Sequence, residues 1–542
     1  MTGDLHVHFE ARAETSPSSG DAAVSHLDET FSSLFALPGA GTGHLPDAAE
    51  EPAYFPDLQL DLLVDAVVTG REKFNLAPAF RARLEDVSAI ERRQGVFADL
   101  ADERLHAAIQ AFCDGLARCE RLLELASRSR HERQSQLLRL NAIASYAEVI
   151  ETVDRALEQV GPSSAGMRAW MGWLAEYRAS QDFVFLVTGA QRLVTELSDL
   201  HYTLAISGPK VVAKPFAEQE DLSAATLATF ERFRGEEDPA PRPSSRAGAE
   251  LHFLQMAVLD LVVQLFPEFF ERVSTFLREH SKVQHETIAT VERELQFALS
   301  WLAFLAPLQQ AGLAFCLPAV RAGDQRLAAV DTFDALLAHE LIKADQVPVT
   351  NDVALDGGEQ VLVVTGPNQG GKTTFARTLG QLYHLTGVGL PVPGRSATVQ
   401  PAVSILTHFE GADRPDDLTS RLEDEVKRMA ELLNEVRPGA LVILNEMFSS
   451  TTWIDAREMS ERVLHAVLDA DAVCVCVTFI DELSQLGPRV VSLVSGIDGS
   501  DTTQRTFKIL RGQADGKAYA LALASKYALT RDQLQARIEA HA

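Results

Sequence analysis

One stretch, residues 361–374 (VLVVTGPNQGGKTT), constrains the fold of this chain more than any other. It begins with four apolar residues, 361–364, which is the pattern of a short buried strand. Residues 366–373 then fit G-x-x-x-x-G-K-[ST], the spacing of a phosphate-binding loop. Apolar residues recur at helical spacing from Phe375 onward. An accidental glycine-rich turn would lack this context, so the stretch predicts a strand–loop–helix unit that binds a nucleotide.

The residue types in this loop suit a triphosphate and its magnesium ion. Gly366, Gly370 and Gly371 permit a tight bend whose N–H groups face phosphate oxygens. The Lys372 ammonium can reach the β and γ phosphates at the positive end of the following helix, and the Thr373 hydroxyl can ligate Mg²⁺. We therefore expect ATP and Mg²⁺ as cofactors. The predicted binding residues are Thr365, Gly366, Pro367, Asn368, Gln369, Gly370, Gly371, Lys372, Thr373 and Thr374.

A second apolar strand, residues 440–444, ends at Asn445 and Glu446. In ATPases with this loop, an acidic residue at the end of this strand holds Mg²⁺, and an adjacent glutamate can polarise the attacking water. Glu446 is therefore the predicted catalytic base, and Lys372 is the second predicted catalytic residue. Asn445 stands where an aspartate is expected, and its neutral amide is a weaker partner for Mg²⁺. We expect slow hydrolysis, with Mg²⁺ held by Thr373 and, through water, by Asn445.

Two further elements are predicted around the same site. An amphipathic helix covers residues 420–436, and Ser420 and Glu423 fit a capping box at its start, which is also a natural anion site. A third strand, residues 473–477, is followed by Thr478. Ligands of open α/β sheets lie beyond the carboxyl ends of the strands. The side chains predicted to converge there are Thr365, Asn445, Glu446 and Thr478.

Length and composition limit the class of protein. The 542 residues suffice for about three domains. The net charge of −27, from 76 acidic and 49 basic residues, opposes a surface that coats nucleic acid generally, but it leaves room for a local basic patch. The five cysteines form no C-x-x-C pair and are expected to be core residues in a reducing compartment. Without a signal peptide or a bilayer-length apolar run, we expect a cytoplasmic chain with no membrane partner.

The chain divides into three predicted parts. Residues 1–50, rich in Ser, Gly, Ala, Pro and acid, suggest a disordered or loosely packed arm. Residues 51–324 are mainly helical, with a β-hairpin near 202–213 and a long helical tract, suited to a lever, that Pro267 and Pro307 are expected to break or kink. Residues 325–542 alternate strand and helix, as in an α/β domain.

Six arginines between Arg118 and Arg139 are the main candidate for contact with nucleic acid. They could form a stripe that contacts phosphates. The alternative, which we favour, is a solvated helix face balanced by Glu120, Glu124 and Glu132.

Several motifs together resemble the MutS mismatch-repair family. TGPNQGGKTT is similar to the family's TGPNMGGKST, and Asn368 after Pro367 is a specific mark of that loop. Residues 420–425 resemble its S-T-F-x-x-E element. Residues 445–446 and 451–455 resemble the D-E and G-T-S-T-x-[DE]-G segments. Residues 512–524 resemble its closing tract.

This resemblance covers about 215 residues well. It implies an ABC-type P-loop ATPase domain of α/β class at the C-terminus, preceded by a mainly α-helical lever or core domain with a reduced clamp. It also implies a homodimer formed through the ATPase domains, in which Ser420 reaches the nucleotide of the opposite subunit. DNA, mismatched or structured, would be held by backbone contacts from Arg118–Arg139 and Lys210 in repair or recombination.

Departures from the family pattern leave a second hypothesis open. Too little chain precedes Phe55 for the mismatch-recognition and connector domains, so the resemblance is to a short member. Thr478–Phe479 stands where the family usually has Thr–His, and Asn445 replaces the usual aspartate. The alternative is a nucleotide-gated module that binds a protein partner, with little or no hydrolysis and no mismatch recognition.

Overall fold

The computed structural model describes residues 31–37, 43–207, 210–216, 256–321, 327–409, 418–497, 505–513, 529 and 531–541. The chain divides into two compact units. Among the described residues, the first unit takes in 31–32, 104–161 and those between 169 and 289. The second takes in 33–103, 162–168 and those from 290 onward.

The helices and strands are numbered in chain order. The helices are α1 (Phe55–Leu58), α2 (Leu60–Val68), α3 (Ala77–Arg81), α4 (Val87–Asp99), α5 (Glu103–Arg128), α6 (Glu132–Val160), α7 (Ala165–Ala179), α8 (Gln181–Ser198), α9 (Pro267–Glu279), α10 (Glu286–Gln310), α11 (Ala335–Lys343), α12 (Lys372–Val388), α13 (Leu418–Glu435), α14 (Trp453–Asp469) and α15 (Arg531–His541). Residues 256–265 are also helical.

The strands are mostly short. They are β1 (Tyr202–Ser207), β2 (Lys210–Pro215), β3 (Phe315–Cys316), β4 (Ala319–Val320), β5 (Leu327–Thr332), β6 (Asn351–Leu355), β7 (Val361–Thr365), β8 (Val392–Pro393), β9 (Ser396–Val399), β10 (Ile405–His408), β11 (Leu441–Asn445), β12 (Val473–Val477), β13 (Val490–Ile497) and β14 (Arg505–Arg511).

The first unit is built on helix packing. Helix α6 packs against α8 and α9. The indole rings of Trp170 and Trp173 are buried in its core. Strands β1 and β2 form an antiparallel hairpin in which Tyr202 lies opposite Pro215.

The two prolines expected to interrupt the long helical tract behave differently. Pro267 stands in the first turn of α9, where its missing N–H costs nothing. Pro307 lies inside α10, which continues to Gln310, so this proline does not break the helix. The Pro307 carbonyl still accepts a hydrogen bond from Ala311 N at 3.2 Å. The proline lies so close to the helix end that few hydrogen bonds depend on it.

The second unit contains a six-stranded sheet in the order β10–β11–β12–β7–β13–β14. All neighbouring strands run parallel except β14, which is antiparallel to β13. Every residue of β7, β11 and β12 is buried. Such continuous apolar runs are typical of parallel strands with both faces covered.

Helices cover the two faces of this sheet. On one face, Val363, Leu444 and Cys476 share a core with Met429 of α13 and Leu464 of α14. On the other face, α12 packs against β11 and β12. The expectation that Cys474 and Cys476 are core residues is confirmed, since both are fully buried. The carboxyl ends of β7, β11 and β12 therefore meet at one edge, with Asn445 opposite Val477 and Val477 opposite Val364.

Part of the segment expected to be a loose arm is packed. Leu34 and Phe35 are fully buried. The buried Glu294 carboxylate accepts hydrogen bonds from the Ser33 hydroxyl and, at 2.7 Å, from Leu34 N. The Arg92 Nε donates to Leu34 O at 3.0 Å. A short apolar run within a polar, glycine-rich stretch thus suffices to fix residues 33–36, because buried polar partners satisfy its main chain.

No helix in the described part of the chain is long and apolar enough to span a bilayer.

We expect Glu294→Gln to remove a pH dependence of stability. Burial raises the pKa of Glu294 from 4.5 to about 7. The hydrogen bonds from Ser33 and Leu34 and the charges of Arg93 and Arg92 lower the pKa, but burial outweighs them. The protonated Glu294 carboxyl therefore stabilises the folded state by about 3 kcal/mol below about pH 4.5. This stabilisation is lost as the pH rises through about 7. The thermal unfolding midpoint of the variant should rise relative to wild type between about pH 5 and about pH 8.

The exposed Glu286 at the start of α10 provides a matched control. Glu286→Gln should leave the pH profile of the midpoint as in wild type. A constant difference between Glu294→Gln and wild type at all pH values would contradict a raised pKa for Glu294.

Candidate functional site

A cavity of about 610 Å³ lies at the sheet edge where β7 and β11 end. One part of its wall is polar and is formed by the loop 368–374 and Glu446. The other part is largely apolar. It is formed by residues of α11, of the segment 346–349 and of β14, among them Leu337, Leu341, Val347, Pro348, Val349 and Phe507.

The loop after β7 is shaped by main-chain conformation and by a close neighbour. Gly366 and Gly371 have φ of 116° and 89°, which favour glycine, and Gln369 has φ of 59°. Gly370 is needed for a different reason. A Cβ at this position would lie 2.3 Å from Ser495 Oγ and 2.9 Å from Pro367 O. The Ser495 hydroxyl donates to Gly370 O at 2.7 Å, so β13 holds this loop from behind.

The Lys372 ammonium is held within the loop. Its Nζ donates to Gly366 O at 2.9 Å, to Pro367 O at 3.1 Å and to Asn368 Oδ1 at 3.5 Å. Burial lowers the pKa of Lys372, Glu446 opposes that shift, and Arg505 adds to it. A buried cation with only neutral hydrogen-bond acceptors is a strong attractant for an anion.

The side chains of Thr373 and Asn445 are joined. Thr373 Oγ1 donates to Asn445 Oδ1 at 3.0 Å, so the lone pairs of the hydroxyl remain available. Glu446 follows directly in the left-handed conformation, with φ of 55°, and its side chain lines the cavity. Its N–H donates to Val477 O at 2.9 Å, which ties the residue to the end of β12.

Other predicted residues lie behind the cavity wall. Thr365 Oγ1 is 3.5 Å from Leu493 O, and Thr478 Oγ1 accepts from Ile480 N at 3.0 Å. Both threonines are buried and outside the cavity lining. Helix α13 begins at Leu418, so Ser420 lies inside its first turn and not at the predicted cap position. The side chains of Ser420 and Lys210 lie outside the described residues. The structure thus brings Asn368 to Thr374 and Glu446 to the cavity.

The hairpin β13–β14 contributes residues that the sequence reading missed. Arg505 Nε donates to Asn368 O at 2.7 Å, next to the Lys372 ammonium. Phe507, also with a left-handed φ of 57°, faces Gly371 and lines the cavity. Asn351 Nδ2 donates to Phe507 O at 3.2 Å and fixes it. No spacing rule marks these residues, because they come more than 130 positions after the loop they contact.

The apolar part of the wall is open to solvent. Phe507 is 47% exposed, Val347 62% and Leu337 38%. Large apolar side chains exposed in a cavity next to a phosphate-type loop suit a flat ring system attached to phosphates.

Comparisons with known proteins point to one family. The family model for MutS domain V matches residues 362–537. The DNA mismatch repair protein MutS of Chlorobaculum parvum is 24% identical over 394 residues, which are 68% of this chain and 42% of that protein. The Endonuclease MutS2 of Shouchella clausii is 26% identical over 58% of this chain and 40% of that protein. The Endonuclease MutS2 of Thermus thermophilus is 27% identical over 34% and 25%. The chain spans less than half the length of these relatives.

We expect Phe507→Ala to weaken binding of a non-hydrolysable ATP analogue about tenfold, because an adenine base in this cavity would lose its aromatic contact. Isothermal titration calorimetry measures the change. Leu510, on the same strand and 60% exposed, lies away from the cavity, so Leu510→Ala should bind the analogue as wild type does. Equal affinity of both variants would show that the apolar wall does not hold the base.

Proposed function

This chain belongs to the MutS family, and from that premise we propose that it binds ATP with Mg²⁺ and hydrolyses it slowly to control binding to DNA. MutS domain V, which matches residues 362–537, is the ATPase domain of the family. The observation that carries the proposal is the buried Lys372 ammonium, which has only neutral acceptors inside a glycine-shaped loop beside a cavity of about 610 Å³.

Binding uses groups that are already in place. The N–H groups of residues 368–373 and the start of α12 attract the phosphates, and Lys372 adds a full charge. The purine base packs on Phe507, Val347 and Leu337. The remaining loop residues shape the main chain that binds the phosphates. They are Thr365, Gly366, Pro367, Asn368, Gln369, Gly370, Gly371 and Thr374.

The residues present also fit a magnesium ion. The Thr373 hydroxyl donates a hydrogen bond to Asn445 Oδ1, so the lone pairs of the hydroxyl oxygen remain free to ligate a cation. Asn445 would then act through this hydroxyl or through water. When bound, Mg²⁺ neutralises charge on the phosphate oxygens.

Hydrolysis is assigned to Glu446. Its carboxylate lines the cavity and accepts a proton from the attacking water, while Lys372 stabilises negative charge on the phosphates. Asn445 lacks the charge of an aspartate, so the site stabilises the cation less and turnover is slow.

The dimer and the DNA partner belong to the same proposal. Two copies pair through ABC-type ATPase domains, and α13, which contains Ser420, faces the nucleotide of the other copy. The helices of the first unit serve as levers, with β1 and β2 as a reduced clamp. Arg118, Arg121 and Arg130 are exposed and make no ion pair with a described residue, which suits contacts to DNA phosphates. Arg128 pairs with Glu124, and Arg133 with Glu271.

A second candidate is a nucleotide-gated module that binds a protein and turns over little ATP. Asn445 favours it, because this residue offers the Mg²⁺ site an amide in place of a carboxylate. The exposed Phe479 at the end of β12 favours it too, because a phenyl ring cannot hydrogen-bond to a phosphate.

An ATPase assay with and without DNA separates the two candidates. We expect ATP hydrolysis that duplex, mismatched, branched or single-stranded DNA stimulates, and DNA affinity that falls steeply with salt. Lys372→Ala should lose ATP affinity by roughly a hundredfold, since a charge-assisted contact to phosphate is removed. The exposed Lys282 is the control, and Lys282→Ala should bind ATP normally.

ATP affinity retained in Lys372→Ala would contradict the nucleotide site. ATP binding without DNA binding, even at low salt, would favour the protein-binding module.

A further inference from the structure

A buried acid–base pair lies behind the turn that follows β11. Glu425 of α13 and His408 at the end of β10 are both buried. The His408 Nε2 lies 3.4 Å from Glu425 Oε1. The same carboxylate oxygen accepts from Phe448 N at 2.5 Å, and Glu425 Oε2 accepts from Ser450 Oγ at 3.3 Å. The Glu425 carboxylate thus accepts hydrogen bonds from three donors, one at the end of β10 and two in the turn after β11.

The turn held by this carboxylate has an unfavourable backbone. Glu446 and Phe448 have φ of 55° and 57°, although neither is glycine. Non-glycine residues keep such angles only where the surroundings impose them. Two hydrogen bonds hold these angles in place. Glu446 N donates to Val477 O at 2.9 Å, and Phe448 N donates to the Glu425 carboxylate.

The carboxylate is ionised at neutral pH. Burial opposes ionisation, but the hydrogen bonds from His408, Phe448 N and Ser450 outweigh it and hold the pKa of Glu425 below its usual value. An ionised acceptor makes shorter and stronger hydrogen bonds than a neutral one. The Phe448 N–H is therefore anchored firmly.

We propose that Glu425 is a positioning residue for hydrolysis: its carboxylate fixes the turn at residues 446–450 so that the Glu446 side chain points into the cavity. This inference rests on the proposed function, in which Glu446 is the base. Glu425 lies outside the cavity wall and binds no part of the phosphate loop. Its loss should consequently affect the chemical step and leave ATP binding intact.

The test compares Glu425→Ala and Glu425→Gln with wild type. The kcat of Glu425→Ala should fall at least tenfold, while KM and the Kd of ATP stay within about twofold. Glu425→Gln should be intermediate, since its amide oxygen still accepts from Phe448 N but its NH₂ group cannot accept from a second donor. Glu431→Ala is the matched control, because Glu431 is exposed on the same helix, and it should behave as wild type.

Hydrogen–deuterium exchange gives a readout that does not need activity. In nucleotide-free protein, the amides of residues 446–450 should exchange at least tenfold faster in Glu425→Ala than in wild type or Glu431→Ala. Peptides from residues 366–373 should exchange equally in all of them. If Glu425→Ala does not fold, Glu425→Gln and Ser450→Ala provide the same comparison.

Two results would overturn the proposal: unchanged kcat in folded Glu425→Ala, or a Kd for ATP that rises in parallel with the loss of activity. If wild type binds or hydrolyses no ATP, the proposed function fails separately. The exchange data then decide alone, and equal exchange of residues 446–450 would overturn the role of Glu425 in holding the turn.

Discussion

The loop at residues 366–373 keeps its shape because its main chain lies directly against a neighbouring strand. Ser495 of β13 is so close to Gly370 that no side chain fits between them, and its hydroxyl holds the Gly370 carbonyl. Strand β13 in turn pairs with β7, from which the loop emerges. The loop is therefore clamped at its start and along its back, and Lys372 is held on its inner side.

Much of this arrangement could be predicted from the sequence. The strand, loop and helix at residues 361–388 follow from one apolar run, one glycine pattern and one helical repeat. Strands β11 and β12 could be placed as well, since strands buried on both faces have continuous apolar runs. Parallel neighbouring strands have their carboxyl ends at the same edge of the sheet. The position of Glu446 beside the loop therefore follows from the placement of these three strands.

The remainder depends on contacts that no local pattern encodes. Arg505 and Phe507 reach the site because β14 pairs with β13, a neighbour of β7. The residues Thr365 and Thr478 stand at strand ends as predicted, yet their hydroxyls pair with the main chain and stay behind the cavity. Glu425 was placed on an amphipathic helix, but its function depends on a turn whose left-handed angles are unusual for non-glycine residues.

The position of Lys372 inside the loop has a kinetic consequence for the proposed nucleotide site. Its three oxygen partners are groups that a phosphate can replace one for one, so an incoming nucleotide exchanges hydrogen bonds without rebuilding the main chain. Binding of the nucleotide would therefore cost little conformational entropy of the loop. In the proposed cycle, the rate of binding would depend on encounter and on desolvation of the ammonium. After product release, the same three oxygen atoms would again accept hydrogen bonds from Lys372.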